Sequence, residues 1–175
     1  VINEVMYHGP APPVGVNADK LEFVEIYNSS PATVDLSNWS INGIGYDFPV
    51  GSSIGPGKTL VIVPFDPVDD GSDIANFGSV YGVNILAKRS QYLGPYSGQL
   101  DNGGERITLL KADDPPPESP LTIPLVIEDY VDYDDAAPWA TGADGAGESL
   151  NRQLVDLWGN DPTSWTGAAP EPGAI

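Results

Sequence analysis

Apolar and polar residues alternate along several short segments of the chain, as they do in β-strands that bury one face. The clearest segment is 21–27, LEFVEIY, in which apolar side chains are interspersed with glutamates. Because its apolar residues do not all fit one face, we expect this strand to lie between two neighbours. Residues 28–31 predict a turn, since short polar side chains bond locally and proline cannot continue a central ladder.

Similar patterns predict the remaining strands at 1–7, 34–41, 59–63, 105–111, 126–133 and 148–153. Short strands joined by turns rich in Gly and Pro are typical of an antiparallel all-β sandwich or barrel. The core is predicted to contain Phe23, Ile26, Leu36, Trp39, Leu60, Ile62, Ile107, Leu109, Val131 and Leu150.

Two local patterns lead to more specific expectations. The sequence DNGG at 101–104 supplies the positive φ angles of a tight hairpin, which would join residues 99–100 to the strand at 105–111. Residues 74–82 have only weak helical or irregular character, so no amphipathic helix of normal length is expected.

The charge balance excludes some partners. The chain has 25 acidic and 7 basic residues, a formal net charge of −18. Nucleic acids are bound through Lys and Arg, and acidic membrane surfaces repel such a chain. No run approaches the ~20 apolar residues of a membrane helix, so no membrane insertion is expected. The acidity fits either a solvated surface or a calcium-dependent one.

An ordered series of motifs resembles the lamin tail domain, an immunoglobulin-like module of nuclear lamins that also occurs in exported bacterial proteins. The motifs are INEV at 2–5, FVEIYN at 23–28, VDLSNW at 34–39, FP at 48–49, IGPG at 54–57, NGGE at 102–105, VDY at 131–133, APW at 137–139, GESL at 147–150, DPTSW at 161–165 and PEPG at 170–173.

The resemblance implies an all-β, immunoglobulin-like β-sandwich with long loop insertions and no catalytic activity of its own. We expect one domain over 1–168 and a flexible C-terminal tail over 169–175. The insertions, 66–98 and 113–124, depart from the compact lamin version. The second is rich in proline and is predicted to be an exposed loop, with a PxxP spacing at Pro117 and Pro120.

The best metal candidates are Asp66, Asp69, Asp70 and Asp73, which lie within eight residues. Calcium takes about six to eight hard oxygen ligands, and a flexible acidic loop can supply several of them. The spacing is not that of an EF-hand. A second acidic group contains Asp132, Asp134 and Asp135. A solvated loop is the alternative for both groups.

Other residues offer little catalytic chemistry. Cysteine is absent, which excludes a thiolate nucleophile, and no GxSxG motif accompanies His8, the single histidine. We expect His8 at a surface or strand edge. Aromatic residues on β-sandwiches often bind sugars, but the resemblance places Trp39, Trp139 and Trp165 in or near the core and leaves Trp158 unassigned.

Two classes of function therefore remain open. In the first, the chain is a non-catalytic binding or architectural module of a secreted or cell-surface bacterial protein, with a protein or glycan partner. In the second, it is a metal-dependent hydrolase that uses an aspartate cluster. The chain opens directly into a strand, so we expect a monomeric domain cut from a larger protein. The scarcity of catalytic groups favours the first class.

Overall fold

The computed structural model describes residues 1–119 and 121–174. Pro120, and with it the second proline of the PxxP spacing, lies outside the described residues, as does Ile175. The described residues form twelve strands and one α-helix: β1 Ile2–Met6, β2 Phe23–Tyr27, β3 Val34–Asp35, β4 Ser40–Asn42, β5 Tyr46–Asp47, β6 Ser53–Ile54, β7 Thr59–Ile62, α1 Gly71–Tyr81, β8 Tyr92–Leu93, β9 Gly104–Ala112, β10 Leu125–Asp134, β11 Ser149–Arg152 and β12 Trp165–Ala168. Within this described part, no helix has the length and apolar character needed to cross a bilayer.

The strands form two main sheets, which confirms the prediction of an immunoglobulin-like β-sandwich. One sheet has the order β12-β11-β1-β2-β7-β8, the other has the order β10-β9-β4-β5, and β3 pairs with β6 in a small third sheet. As predicted, β2 lies between two neighbours, β1 and β7. Most neighbouring strands are antiparallel, but β7 and β8 run parallel.

The main core lies between the two large sheets. Side chains from both sheets pack there, including the stacked rings of Tyr7 and Tyr133, whose centroids are 4.5 Å apart. All ten predicted core residues are buried. Nine of them belong to this main core, whereas Phe23 packs on the outer face of the six-stranded sheet.

A second core covers the outer face of the six-stranded sheet, and it requires a correction. The sequence predicts no regular helix, yet α1 packs Ile74 and Phe77 onto this face with Met6, Phe23 and Val61. The helix is weakly patterned but well capped. The Asp70 carboxylate accepts a hydrogen bond from the Asp73 amide, and Gly82 takes the left-handed conformation at φ 67°.

The predicted hairpin at 101–104 is wrong. The turn itself forms, because the amides of Gly103 and Gly104 bond to the side chain and backbone of Asp101. The strand that follows, β9, nevertheless pairs with β10 and β4, and residues 99–100 belong to no strand. Turn chemistry alone does not specify which segments become neighbours.

A buried ion pair joins the two sheets. Asp129 on β10 contacts Arg152 on β11, with side chains 8% and 3% exposed. The same Asp129 carboxylate accepts a hydrogen bond from the Ile2 amide at 2.8 Å, and Arg152 donates to the Ile2 carbonyl at 3.0 Å. A register shift between Ile127 and Asp129 lets β10 turn this carboxylate inward.

The C-terminal segment, for which a flexible tail is expected, contacts the six-stranded sheet. Residues 169–174, called the strap below, lie across the outer face of the six-stranded sheet. The Tyr92 hydroxyl donates to the Pro172 carbonyl at 2.9 Å, and the Gln91 amide donates to the Gly173 carbonyl at 2.8 Å. The amino-acid composition of the strap could not predict this docking, because the strap is bound through its backbone. The domain boundary at residue 168 stays a prediction.

The contrast between two tryptophans gives a stability test. Trp39 is 7% exposed within the main core, whereas Trp158 is 63% exposed. We expect Trp39→Ala to lower the free energy of unfolding by about 3–5 kcal/mol, because it removes a packed large aromatic side chain. The matched control Trp158→Ala should change it by less than about 0.5 kcal/mol. Equal denaturant midpoints for the two variants would contradict this core assignment.

Candidate functional site

An open cleft lies at one end of the sandwich, where β2 and β3 approach the β9–β10 pair. Its volume is about 370 Å³. The buried side chains of Ile26, Trp39 and Leu109 contribute apolar surface to it. Three charged side chains, Asp35, Lys111 and Glu128, also line it. An apolar lining with a few polar or charged groups is typical of ligand-binding pockets.

An exposed apolar ribbon adjoins this end cleft. The β9–β10 ribbon comprises residues 110–112 and 125–128, and its strands pair through Lys111 with Val126 and Leu110 with Ile127. Leu125, Val126 and Ile127 are 48%, 42% and 58% exposed, a run of three consecutive exposed apolar residues. Lys111, Ala112 and Glu128 line the end cleft as well, so the ribbon and the cleft form one continuous surface.

The outer edge of β10 is covered along only part of its length. Beyond the register shift, the Tyr130 amide bonds to the Asp129 side chain, and the Asp132 amide bonds to the Asn160 side chain at 2.7 Å. Among the described residues, no group outside the β9–β10 ribbon forms a hydrogen bond with the backbone of residues 125–128. This short stretch of edge can therefore accept a further strand.

Two of the four predicted calcium ligands, Asp66 and Asp70, have local structural roles. Asp66 accepts hydrogen bonds from the Val68 and Asp69 amides at 2.8 and 3.3 Å, and Asp70 caps α1. The Asp73 amide bond lowers the pKa of Asp70, whereas burial raises the pKa of Asp73. Within residues 1–119 and 121–174, no group of three or more metal-ligating side chains is assembled. The calcium hypothesis stays a prediction without support from this arrangement.

The second acidic group is also dispersed. Asp132 and Asp134 are exposed, and the Asp134 carboxylate accepts a hydrogen bond from the Ala136 amide at 2.8 Å. A hydrogen bond with Asp134 raises the pKa of Asp135. The arrangement is that of a strand end followed by a turn, and among the described residues no group of three or more metal-ligating side chains forms around these acids.

His8 lies at the end of β1, where its Nδ1 atom is 2.7 Å from Asp144 Oδ1. Both side chains are 39% exposed. In the described part of the chain, no hydroxyl group bonds to the other ring nitrogen, so the nucleophile of a catalytic triad is missing. Asp144 and His8 instead join β1 to the loop before β11.

The tryptophans divide as the sequence predicts. Trp39, Trp139 and Trp165 are 7%, 7% and 4% exposed and belong to the main core. Trp158 is exposed and meets the ring of Tyr130 edge-on at 6.3 Å. It is the tryptophan whose ring remains available to a ligand.

Three buried glutamates were missed by sequence reasoning. Glu4 and Glu25 face each other across β1 and β2, and they are 2% and 0% exposed. Burial raises their pKa values to about 7 and about 8. Glu22 is 3% exposed and accepts hydrogen bonds from the Tyr96 hydroxyl and the Leu100 amide; burial raises its pKa to about 7. In sequence, all three look like solvent-facing positions of an alternating strand.

The lamin tail domain family model matches residues 1–115. This match covers more than half of the chain, and its residues form the two-sheet sandwich described above up to the end of β9. The chain therefore belongs to the lamin tail domain family of immunoglobulin-like modules. Motifs after residue 115 lie outside the match. Neither the curated proteins nor the solved structures contain a significant match.

The role of Asp70 can be tested against the calcium hypothesis. We expect Asp70→Ala to lower the free energy of unfolding by about 0.5–2 kcal/mol, because it removes a helix N-cap. The adjacent control Asp69→Ala should have little effect. Thermal unfolding of the wild type should give the same Tm in millimolar calcium and in chelator. Equal stability of Asp70→Ala and Asp69→Ala would contradict the capping account, and a calcium-dependent rise in Tm that Asp66→Asn removes would support a metal site.

Proposed function

We propose that the chain is a non-catalytic binding module of a secreted or cell-surface bacterial protein, and that it holds an extended segment of a protein partner. The observation that carries the proposal is the continuous surface formed by the end cleft and the β9–β10 ribbon. Its exposed apolar side chains lie on an otherwise strongly acidic chain. Contiguous exposed apolar residues commonly mark interaction surfaces.

The shape of this surface favours an extended segment. Residues 125–128 present an uncovered strand edge, to which a peptide can add by backbone hydrogen bonds. Alternate side chains of such a peptide would reach the ribbon, and the end cleft beside it can accept one larger apolar group. The net charge of −18 and the position of Glu128 favour a partner segment that combines apolar with basic residues.

The same charge argues against a second copy of the chain as the occupant. Two ribbons would bring two strongly acidic molecules together, with Glu128 beside the contact in each. Like charges at an interface disfavour association. The chain is therefore expected to be monomeric.

Two other functions remain as outcomes of the test. A glycan partner is supported by Trp158, since exposed aromatic rings stack on sugars and its ring is available beside Tyr130. A metal-dependent hydrolase would need convergent ligands, and the described residues do not assemble them.

The direct test is selection from a displayed library of random extended peptides. We expect enrichment of peptides that combine Lys or Arg with β-branched residues, and weaker binding at high salt. The double variant Val126→Glu/Ile127→Glu should reduce binding at least about tenfold, because it places charge on the apolar ribbon. The matched control Val50→Glu, at another exposed valine, should bind normally.

Other outcomes would overturn the proposal. Peptide binding that is unchanged in the ribbon variant would place the site elsewhere. Glycan binding that Trp158→Ala abolishes would identify a sugar-binding module. Turnover of phosphoester, glycosidic or peptide substrates that Asp70→Asn or Asp134→Asn abolishes would show that the domain is an enzyme.

A further inference from the structure

The outer face of the six-stranded sheet is covered by two different elements. Its apolar part, which includes Met6, Phe23 and Val61, lies under α1. Its polar part, which includes Glu4 and Glu25, lies under the strap. Because successive residues of a strand point to opposite faces, Glu4 shares the outer face with Met6, and Glu25 shares it with Phe23.

The strap contacts both carboxyl groups through its backbone. The Glu171 amide donates to Glu4 Oε1 at 3.2 Å, and the Gly173 amide donates to Glu25 Oε2 at 2.7 Å. The sheet supplies the other donors. Ser149 bonds to Glu4, and Asn3 bonds to Glu25 at 3.0 Å. Each carboxyl group therefore has partners in both the strap and the sheet, and Thr59 on β7 is a further partner of Glu25.

The remaining titratable groups around this pair do not neutralise it. Glu171 belongs to the strap and adds negative charge near Glu4. Tyr81 on α1 and Tyr92 on β8 also face the pair, and burial raises the pKa of both phenols, so they stay neutral. Within the described ranges, neither glutamate has an ion-pair partner, since the recorded pairs are His8 with Asp144 and Arg152 with Asp129.

We propose that the strap is a pH-dependent latch, which covers Glu4 and Glu25 while their carboxyl groups are neutral and leaves the sheet when they ionise. Two carboxylates on directly paired residues repel each other and need water. With the strap in place, each is held by a few hydrogen-bond donors and, among the described residues, has no cation beside it. Departure of the strap admits water to both groups while α1 keeps the apolar part of the face covered.

The direction of the pH effect follows from linkage. Burial raises the pKa of Glu4 to about 7 and that of Glu25 to about 8, whereas release into water returns both toward ordinary values. Docking is therefore fully favoured below the ordinary carboxyl pKa and weakens as the pH rises through 7 to 8. For each carboxyl group, every unit by which its pKa differs between the docked and released states changes the docking equilibrium about tenfold.

Because the chain has no cysteine, one introduced cysteine can carry a spin label that reports the position of the strap. Ala174 is exposed at the end of the strap, so Ala174→Cys allows a single spin label to be attached to the otherwise intact chain. We expect an immobile label at about pH 5.5 and a mobile label at about pH 9, with at least a tenfold change in the ratio of the two populations. Circular dichroism should show an intact sheet throughout.

Three further substitutions, each in the labelled chain, test the cause. Glu4→Gln/Glu25→Gln keeps hydrogen-bond acceptors but removes both charges, so the label should stay immobile up to about pH 9. The matched control Glu22→Gln, at a buried glutamate away from the strap, should keep the wild-type transition. Gly173→Ala should release the strap at lower pH, because residue 173 has a φ of 87° and an added Cβ would lie 3.1 Å from Gln91.

Several results would overturn the proposal. A label that remains immobile at about pH 9 in the wild type would show that ionisation does not release the strap. A transition that persists in Glu4→Gln/Glu25→Gln would assign it to other groups. A transition that coincides with loss of the circular dichroism signal would report global unfolding. If the label disturbs docking, hydrogen exchange of the Gly173 amide in the unlabelled protein can be measured at the same two pH values, because this amide is bonded to Glu25 when the strap is docked.

Discussion

Two glutamates face each other in the middle of the six-stranded sheet, and their burial constrains everything that covers it. Glu4 and Glu25 occupy directly paired positions on β1 and β2, the two strands at the centre of the sheet order. The apolar residues that alternate with them along β1 and β2 point to the inner face and belong to the main core of the sandwich. On the other face, the sheet is covered by α1 over its apolar part and by the strap over its carboxyl groups. The sheet is thus buried on both faces, although its sequence alternates as if one face met water.

This double burial explains which features the sequence could predict. The inner faces follow period-two alternation, so Ile26 and Leu109 pack in the main core as expected. Phe23 is buried as expected, but it packs on the outer face under α1. A glutamate under a backbone segment has the same sequence pattern as a solvated one. The helix was missed because its apolar pattern is weak and its ends are defined by Asp70 and Gly82. The turn at 101–104 fits several pairings, and long-range packing selects β10 and β4.

Some of the acidic residues have structural roles of their own. Asp66 and Asp70 accept amide hydrogen bonds at a turn and a helix start, Asp161 caps a 3-10 turn, and Asp129 pairs with Arg152 between the sheets. These acids hold backbone or a buried cation in place, which accounts for them without a bound metal. What stands out on this acidic chain is the apolar β9–β10 ribbon beside the end cleft. It is the surface on which the proposed binding of a partner segment rests.

The central claim is that Glu4 and Glu25 are buried as neutral groups, and the pH dependence of unfolding tests it most directly. Folded-state pKa values raised by burial give stability that is complete at acidic pH and is lost as the pH rises toward 8. Denaturant unfolding of the wild type and of Glu4→Gln/Glu25→Gln should be compared at about pH 5 and about pH 9. We expect the free energy of unfolding of the wild type to fall by roughly 2–5 kcal/mol more than that of the variant. Equal pH dependence in the two proteins would contradict the account.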